Sequence, residues 1–274
     1  MITQAPAPRR FQPNPALEHR YRKWLGQFDP RYTRSWEKTF RSLPQAAMCE
    51  ATFWKILTDR GVTVQPNEDL TGATKAPDFL CTKDGSKFYV EVTCILSDTT
   101  ARKTSLPAAL PNRVLHPFDV WGFNKAVQAE CQQKVRQCGN VNAPCLLAVG
   151  TFHSAASSCC VKKLLLSGLL TGNMSIGWAV NLRVPRNRST IRQTATLRNA
   201  PFACAAGSSI QPRWMPISAL LLGGFGVVPW RRFGIEHPAP TRAFDIGLLP
   251  DIEFCRLAAH RTDGLLRTEW RGGT

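Results

Sequence analysis

Residues 77–94 read PDFLCTKDGSKFYVEVTC, and this stretch decides the fold. Asp78 to Thr82 reads as one strand, and Phe88 to Cys94 as another. Between them Lys83-Asp84-Gly85-Ser86 carries the Asp-Gly signal of a tight hairpin turn. Side chains alternate along a strand, so Phe88, Val90 and Val92 point one way while Tyr89, Glu91 and Thr93 point the other. Twelve residues separate Asp78 from Glu91, which lets the hairpin bring the two carboxylates side by side at one edge of a sheet. Two carboxylates that close repel unless a cation sits between them, and an all-oxygen donor set favours Mg²⁺ or Mn²⁺.

Working outward, the apolar stripe Ala47, Ala51, Trp54 and Leu57 predicts a helix from about Ser42 to Arg60. Ser42 is its expected cap, Pro44 sits in its first turn, and Gly61 stops it. Glu50 falls within the apolar stripe, where burying a carboxylate is costly without a compensating group. Val62 to Val64 is a short strand candidate, and a breaker-rich loop spans about Ser97 to Pro117. A second helix fits Gly122 to Cys138, and Pro144 to Thr151 is an apolar strand. Upstream, a proline-rich basic arm leads into a short helix, Ala16 to Leu25. Downstream, a helix is expected over Val161 to Leu170 and strands over Ile176 to Val184 and Ile217 to Leu222.

Glu50, Pro77-Asp78, Glu91-Val92-Thr93 and the order helix, three strands, helix, strand resemble the PD-(D/E)XK nuclease superfamily. The resemblance covers about Pro44 to Thr151 and implies an α/β fold with a restriction-endonuclease-like core. It divides the chain into an arm and short helix (1–40), the core (41–152) and a basic C-terminal extension packed on the core (153–274). It implies Asp78 and Glu91 as metal ligands, Glu50 as an accessory ligand, and hydrolysis of DNA with Mg²⁺ or Mn²⁺. The family's lysine position is Thr93 here. Some relatives supply the lysine from the following helix, where Lys134 and Lys125 stand. Lys134 also lies four residues after Glu130, the spacing of a surface ion pair. The alternative expectation is a weakened or inactive nuclease-fold protein that binds nucleic acid.

Charge agrees with a polyanionic partner. The chain of 274 residues has a formal net charge of +16, and Cys131 to Ile235 contains no Asp or Glu. Within that span Arg183, Arg186, Arg188 and Arg192 are the expected phosphate contacts, because a guanidinium fork can hold two phosphate oxygens. DNA is expected ahead of RNA, and a homodimer is left open.

Other classes fare worse. The ten cysteines form no Cys-x-x-Cys pair and read as buried thiols of a cytoplasmic protein, with a structural zinc as a minor alternative. The longest apolar run, Ile217 to Trp230, is broken by glycines and a proline, so no membrane span is expected. Gly223-Gly224-Phe225-Gly226 lacks a Walker lysine. His153 and its neighbouring serines do not form a Ser/His/Asp arrangement; His153 reads as a hydrogen-bonded core residue.

Overall fold

The computed structural model describes residues 11–67, 76–104, 106, 117–161, 163, 166, 170, 173–179, 190–196, 202, 213–259 and 266–272. These form an α/β fold with six helices, one mixed eight-stranded sheet and a two-stranded sheet.

Three helices open the chain: α1 (Pro15–Leu25), α2 (Pro30–Ser42) and α3 (Pro44–Thr58). The α1 start is capped by Asn14, which accepts from the Leu17 amide, and the α2 start by Asp29, which accepts from the Arg31 amide. Each of the three begins on a proline, whose missing N–H costs nothing at that position. Ser42 does not cap α3. It closes α2, where its hydroxyl donates back to the carbonyls of Lys38 and Thr39, and Leu43 stands at the α3 cap without a side-chain bond.

Strands β1 (Thr63–Pro66), β2 (Phe79–Lys83) and β3 (Ser86–Cys94) follow as an antiparallel meander. Asp84 and Gly85 both adopt positive φ, 49° and 75°, as the Asp-Gly turn requires. A short helix, α4 (Ser97–Lys103), occupies part of the expected loop. Then come α5 (Pro117–Gly139) and β4 (Cys145–Thr151), which pairs parallel to β3. Helix α6 (Ser154–Cys159) and the hairpin β5 (Asn173–Ala179) and β6 (Thr190–Thr196) lead to β7 (Ala219–Gly224), β8 (Arg231–Glu236), β9 (Phe254–Ala259) and β10 (Leu266–Arg271). The last four continue the large sheet, whose order is β1-β2-β3-β4-β7-β8-β9-β10.

Every residue of β4 and β7 is buried, as expected of central parallel strands covered on both faces. One core, on the side of α1 to α3, takes Phe88, Val90, Val92, Leu146 and Ala148. The other, on the side of α5, takes Tyr89, Leu147 and Val149 with Val127 and Cys131 of the helix. The alternation read from β3 is therefore the division between the two cores. Gly150 lets α3 approach the sheet: a Cβ there would lie 2.3 Å from Cys49 Sγ.

Candidate functional site

The site follows from a stagger between two strands. In the β2–β3 ladder Phe79 pairs with Val90, and β2 begins there. β3 runs on to Cys94, paired with β4 on one side only, so Val92 to Cys94 face an opening where β2 has ended. Asp78, one residue before β2, closes the first step of that opening: its Oδ2 accepts from the Val92 amide at 2.6 Å. The ladder, extended by one step, sets Asp78 opposite Glu91.

A cleft of about 320 Å³ fills the opening. Glu50 reaches it from α3, Asp78 and Thr93 from the strands, and Lys134 from α5. Helix α2 supplies the outer wall through Tyr32, Ser35, Trp36 and Thr39. Glu91 lies beneath, fully buried, and meets the cleft through Lys134, whose Nζ lies 2.5 Å from Glu91 Oε1. Lys125 is exposed and does not line the cleft.

Glu91 carries the strongest electrostatic tension among these groups. Burial pushes its pKa well above the usual carboxylate value and the neighbouring Asp78 carboxylate adds to this, while Lys134 pulls the other way without prevailing. Burial also presses on the Lys134 ammonium, yet the surrounding carboxylates, Glu91 first, outweigh it and hold its pKa above the ordinary lysine value. Glu91 Oε2 is buried with no hydrogen-bond partner, the costly condition for a polar atom.

Two neighbours complete the picture. Tyr21, wholly buried in α1, donates its hydroxyl to Glu50 Oε1 at 2.5 Å. Thr93 donates its hydroxyl to Glu130 Oε2 at 2.6 Å, so Glu130 serves Thr93 while Lys134 serves Glu91. The surface pair expected between Lys134 and Glu130 gives way to these two bonds, because Lys134 turns inward to the buried acid.

Sequence reasoning missed α2 and with it the outer wall. Its signal was Asp29-Pro30, a capping acid followed by a proline in the first turn. Arg183, Arg186 and Arg188 lie outside the described residues; Arg192 falls on β6, with its side chain outside the description. Cys131, Cys138 and Cys145 are buried on the α5 side of the sheet, and Cys138 forms a thiol–thiol hydrogen bond that helps push the Cys145 pKa up. Among the described residues no three His, Cys, Asp or Glu side chains form a group that could hold a metal ion. His153 is buried and caps α6 by accepting from the Ala156 amide. No described helix is long and apolar enough to cross a membrane. No family model, curated protein or solved structure matches the chain.

Proposed function

We propose that the chain is a metal-dependent nuclease that hydrolyses phosphodiester bonds of DNA, built on a restriction-endonuclease-like core. The observation that carries this reading is the convergence of Glu50, Asp78, Thr93 and Lys134 on one cleft, with Glu91 beneath it. Support also comes from the element order α3-β1-β2-β3-α5-β4, setting aside the short α4, and from the parallel pairing of β3 with β4.

The residues fit a hard divalent cation on chemical grounds. Glu91 Oε2 is a buried oxygen without a donor, and Asp78 stands beside it as a second carboxylate. Mg²⁺ is commonly held by one or two carboxylates, with water and substrate phosphate completing its shell. When bound, the ion supplies Lewis-acid neutralisation of charge at the phosphodiester. Asp78 and Glu91 would hold it, and Glu50, fixed by Tyr21, would orient a water. Hydrolysis forms one bond from water oxygen to phosphorus and breaks one ester bond, the water proton passing to the leaving oxygen. Lys134 would supply to the cleft the positive charge that Thr93 lacks.

A second reading has its own support. The Thr93 hydroxyl is committed to Glu130 and carries no charge, which favours a nuclease-fold protein that binds nucleic acid without cutting it. One experiment separates the two: plasmid and single-stranded DNA are incubated with Mg²⁺ or Mn²⁺ and wild-type or Asp78→Ala protein. Cleavage by wild type alone supports the nuclease. Intact DNA with salt-sensitive binding supports the second reading, and cleavage that survives Asp78→Ala removes Asp78 from the mechanism.

A further inference from the structure

Helix α2 has two working faces. Tyr32, Ser35, Trp36 and Thr39 line the cleft. Arg31, Arg34, Lys38 and Arg41 recur at spacings of three, four and three, and all four are exposed. At 3.6 residues per turn these cations fall within an arc of roughly 80° that borders the arc of Ser35 and Thr39. The basic stripe therefore runs along the rim of the cleft.

The stripe is only partly neutralised. Asp29 holds Arg31 through Nε and Nη2, and Glu37 lies 3.6 Å from Arg41 while also facing Arg22 at 3.4 Å. Neither Arg34 nor Lys38 forms a salt bridge within 4 Å among the described residues, although Arg34 lies near enough to Asp29 to help lower its pKa. Among the described residues that line the cleft, the carboxylates of Glu50 and Asp78 face one ammonium, that of Lys134, which is already paired with the buried Glu91. A phosphate strand approaching that floor meets more repulsion than attraction, so its binding must draw on charge outside the cleft. Arg34 to Arg41 spans about 10 Å of helix. That length equals the axial rise of about three nucleotides in one strand of a duplex, at about 3.4 Å each.

We infer that the Arg34, Lys38 and Arg41 stripe of α2 is the docking surface for the backbone phosphates of a nucleic-acid strand whose scissile part enters the cleft. The inference rests on the nucleic-acid reading of the cleft and adds the surface that delivers the strand. Because α2 also walls the cleft, a strand held on the stripe lies alongside the carboxylates.

The test is fluorescence anisotropy of a labelled single-stranded oligothymidylate in EDTA, over a series of salt concentrations. For a single strand, each lost phosphate contact makes the negative slope of log K against log salt shallower by about 0.7. The doubly substituted Arg34→Ala/Lys38→Ala protein is expected to lose about 1.4 from that slope. Lys87→Ala, at the hairpin end of β3 away from the cleft, is expected to leave it unchanged. Circular dichroism checks that the variants keep the fold. An unchanged slope in the double variant overturns the inference, as does an equal fall in Lys87→Ala. So does a wild type without affinity for the oligonucleotide, whether or not phosphatidylserine vesicles retain it. Cleavage of the same oligonucleotide with Mn²⁺ is scored separately. Slope loss without cleavage keeps the docking surface and sinks the nuclease, whereas cleavage with an unchanged slope does the reverse.

Discussion

Lys134 and Glu91 join α5 to β3 across the floor of the cleft, with Nζ 2.5 Å from Oε1 and the glutamate fully buried. A buried carboxylate beside a second carboxylate is unfavourable, and Lys134 is the group that makes it tolerable. The pair thus links the charge the site needs to the stability of the sheet that presents it.

Lys134→Met tests this link, since methionine keeps much of the apolar stem and removes the charge. The Glu91 pKa is raised in the fold above its ordinary 4.5. The sign follows: stability is full below the ordinary value and declines as pH rises through the raised one. Without Lys134 the pKa rises further, so the cost of the substitution grows with pH. A loss of roughly 3 kcal/mol is expected at pH 8 and a smaller one at pH 5, because a protonated Glu91 no longer needs the ammonium. Urea denaturation at the two pH values checks it; a cost independent of pH contradicts the assigned role of Glu91.

Asp78 has a structural duty besides any chemical one, because its Oδ2 accepts from the Val92 amide at 2.6 Å. Asp78→Asn keeps an acceptor oxygen there, whereas Asp78→Ala takes the acceptor away from the partly buried Val92 amide. Asp78→Ala is expected to lose about 1–2 kcal/mol more stability than Asp78→Asn. Both are expected to lose metal-dependent cleavage, since neither retains the carboxylate. Denaturation curves and a plasmid assay on the same preparations separate the two duties.

How much of this was legible in the sequence depends on how local each signal was. The hairpin announced itself through Asp84-Gly85 and through the alternation from Phe88 to Thr93, both properties of adjacent residues. Helix α3 showed a continuous apolar stripe. Helix α2 buries only Trp36 and is polar around most of its circumference, so its periodicity was faint. Strands β8 to β10 join the sheet through contacts distant in sequence, and β8 is half-exposed over its first three residues. In the site, the acids could be named from spacing. Tyr21 and Glu130 could not, because each acquires its partner only through packing, 29 and 37 residues away in sequence.

Gly150 tests how closely α3 must lie on the sheet. A Cβ at this position would come within 2.3 Å of Cys49 Sγ and 2.7 Å of the Phe225 ring, both held in the core. Gly150→Ala is expected to cost about 1–3 kcal/mol as overpacking. The strain falls on Cys49, the residue before Glu50, so cleavage is expected to fall even where the variant is folded. A parallel Gly139→Ala exchange, whose Cβ would meet Pro216 at an ordinary 3.5 Å, lacks this clash and serves as the comparison.

Tyr21 places a hydroxyl from α1 on the carboxylate of Glu50, 29 residues later in the chain. Its ring is packed against Trp24, Trp36 and Trp54, with centroids 5.1–5.4 Å away, so the hydroxyl is held in place by the aromatic cluster. Phenylalanine preserves that packing and removes only the donor. A hydrogen bond to a charged acceptor contributes about 1.5–3 kcal/mol, and Glu50 is only half-buried, so Tyr21→Phe is expected at the low end of that range. If Glu50 acts in the cleft, the same change also lowers kcat for cleavage more than it raises KM, because the fixed orientation of the carboxylate is lost while the docking surface on α2 is untouched. Glu50→Gln supplies the second arm of a double-mutant cycle with Tyr21→Phe. Additive effects on kcat would show that the two side chains act independently; a double variant no slower than Glu50→Gln alone is the result expected of a tyrosine that works through Glu50.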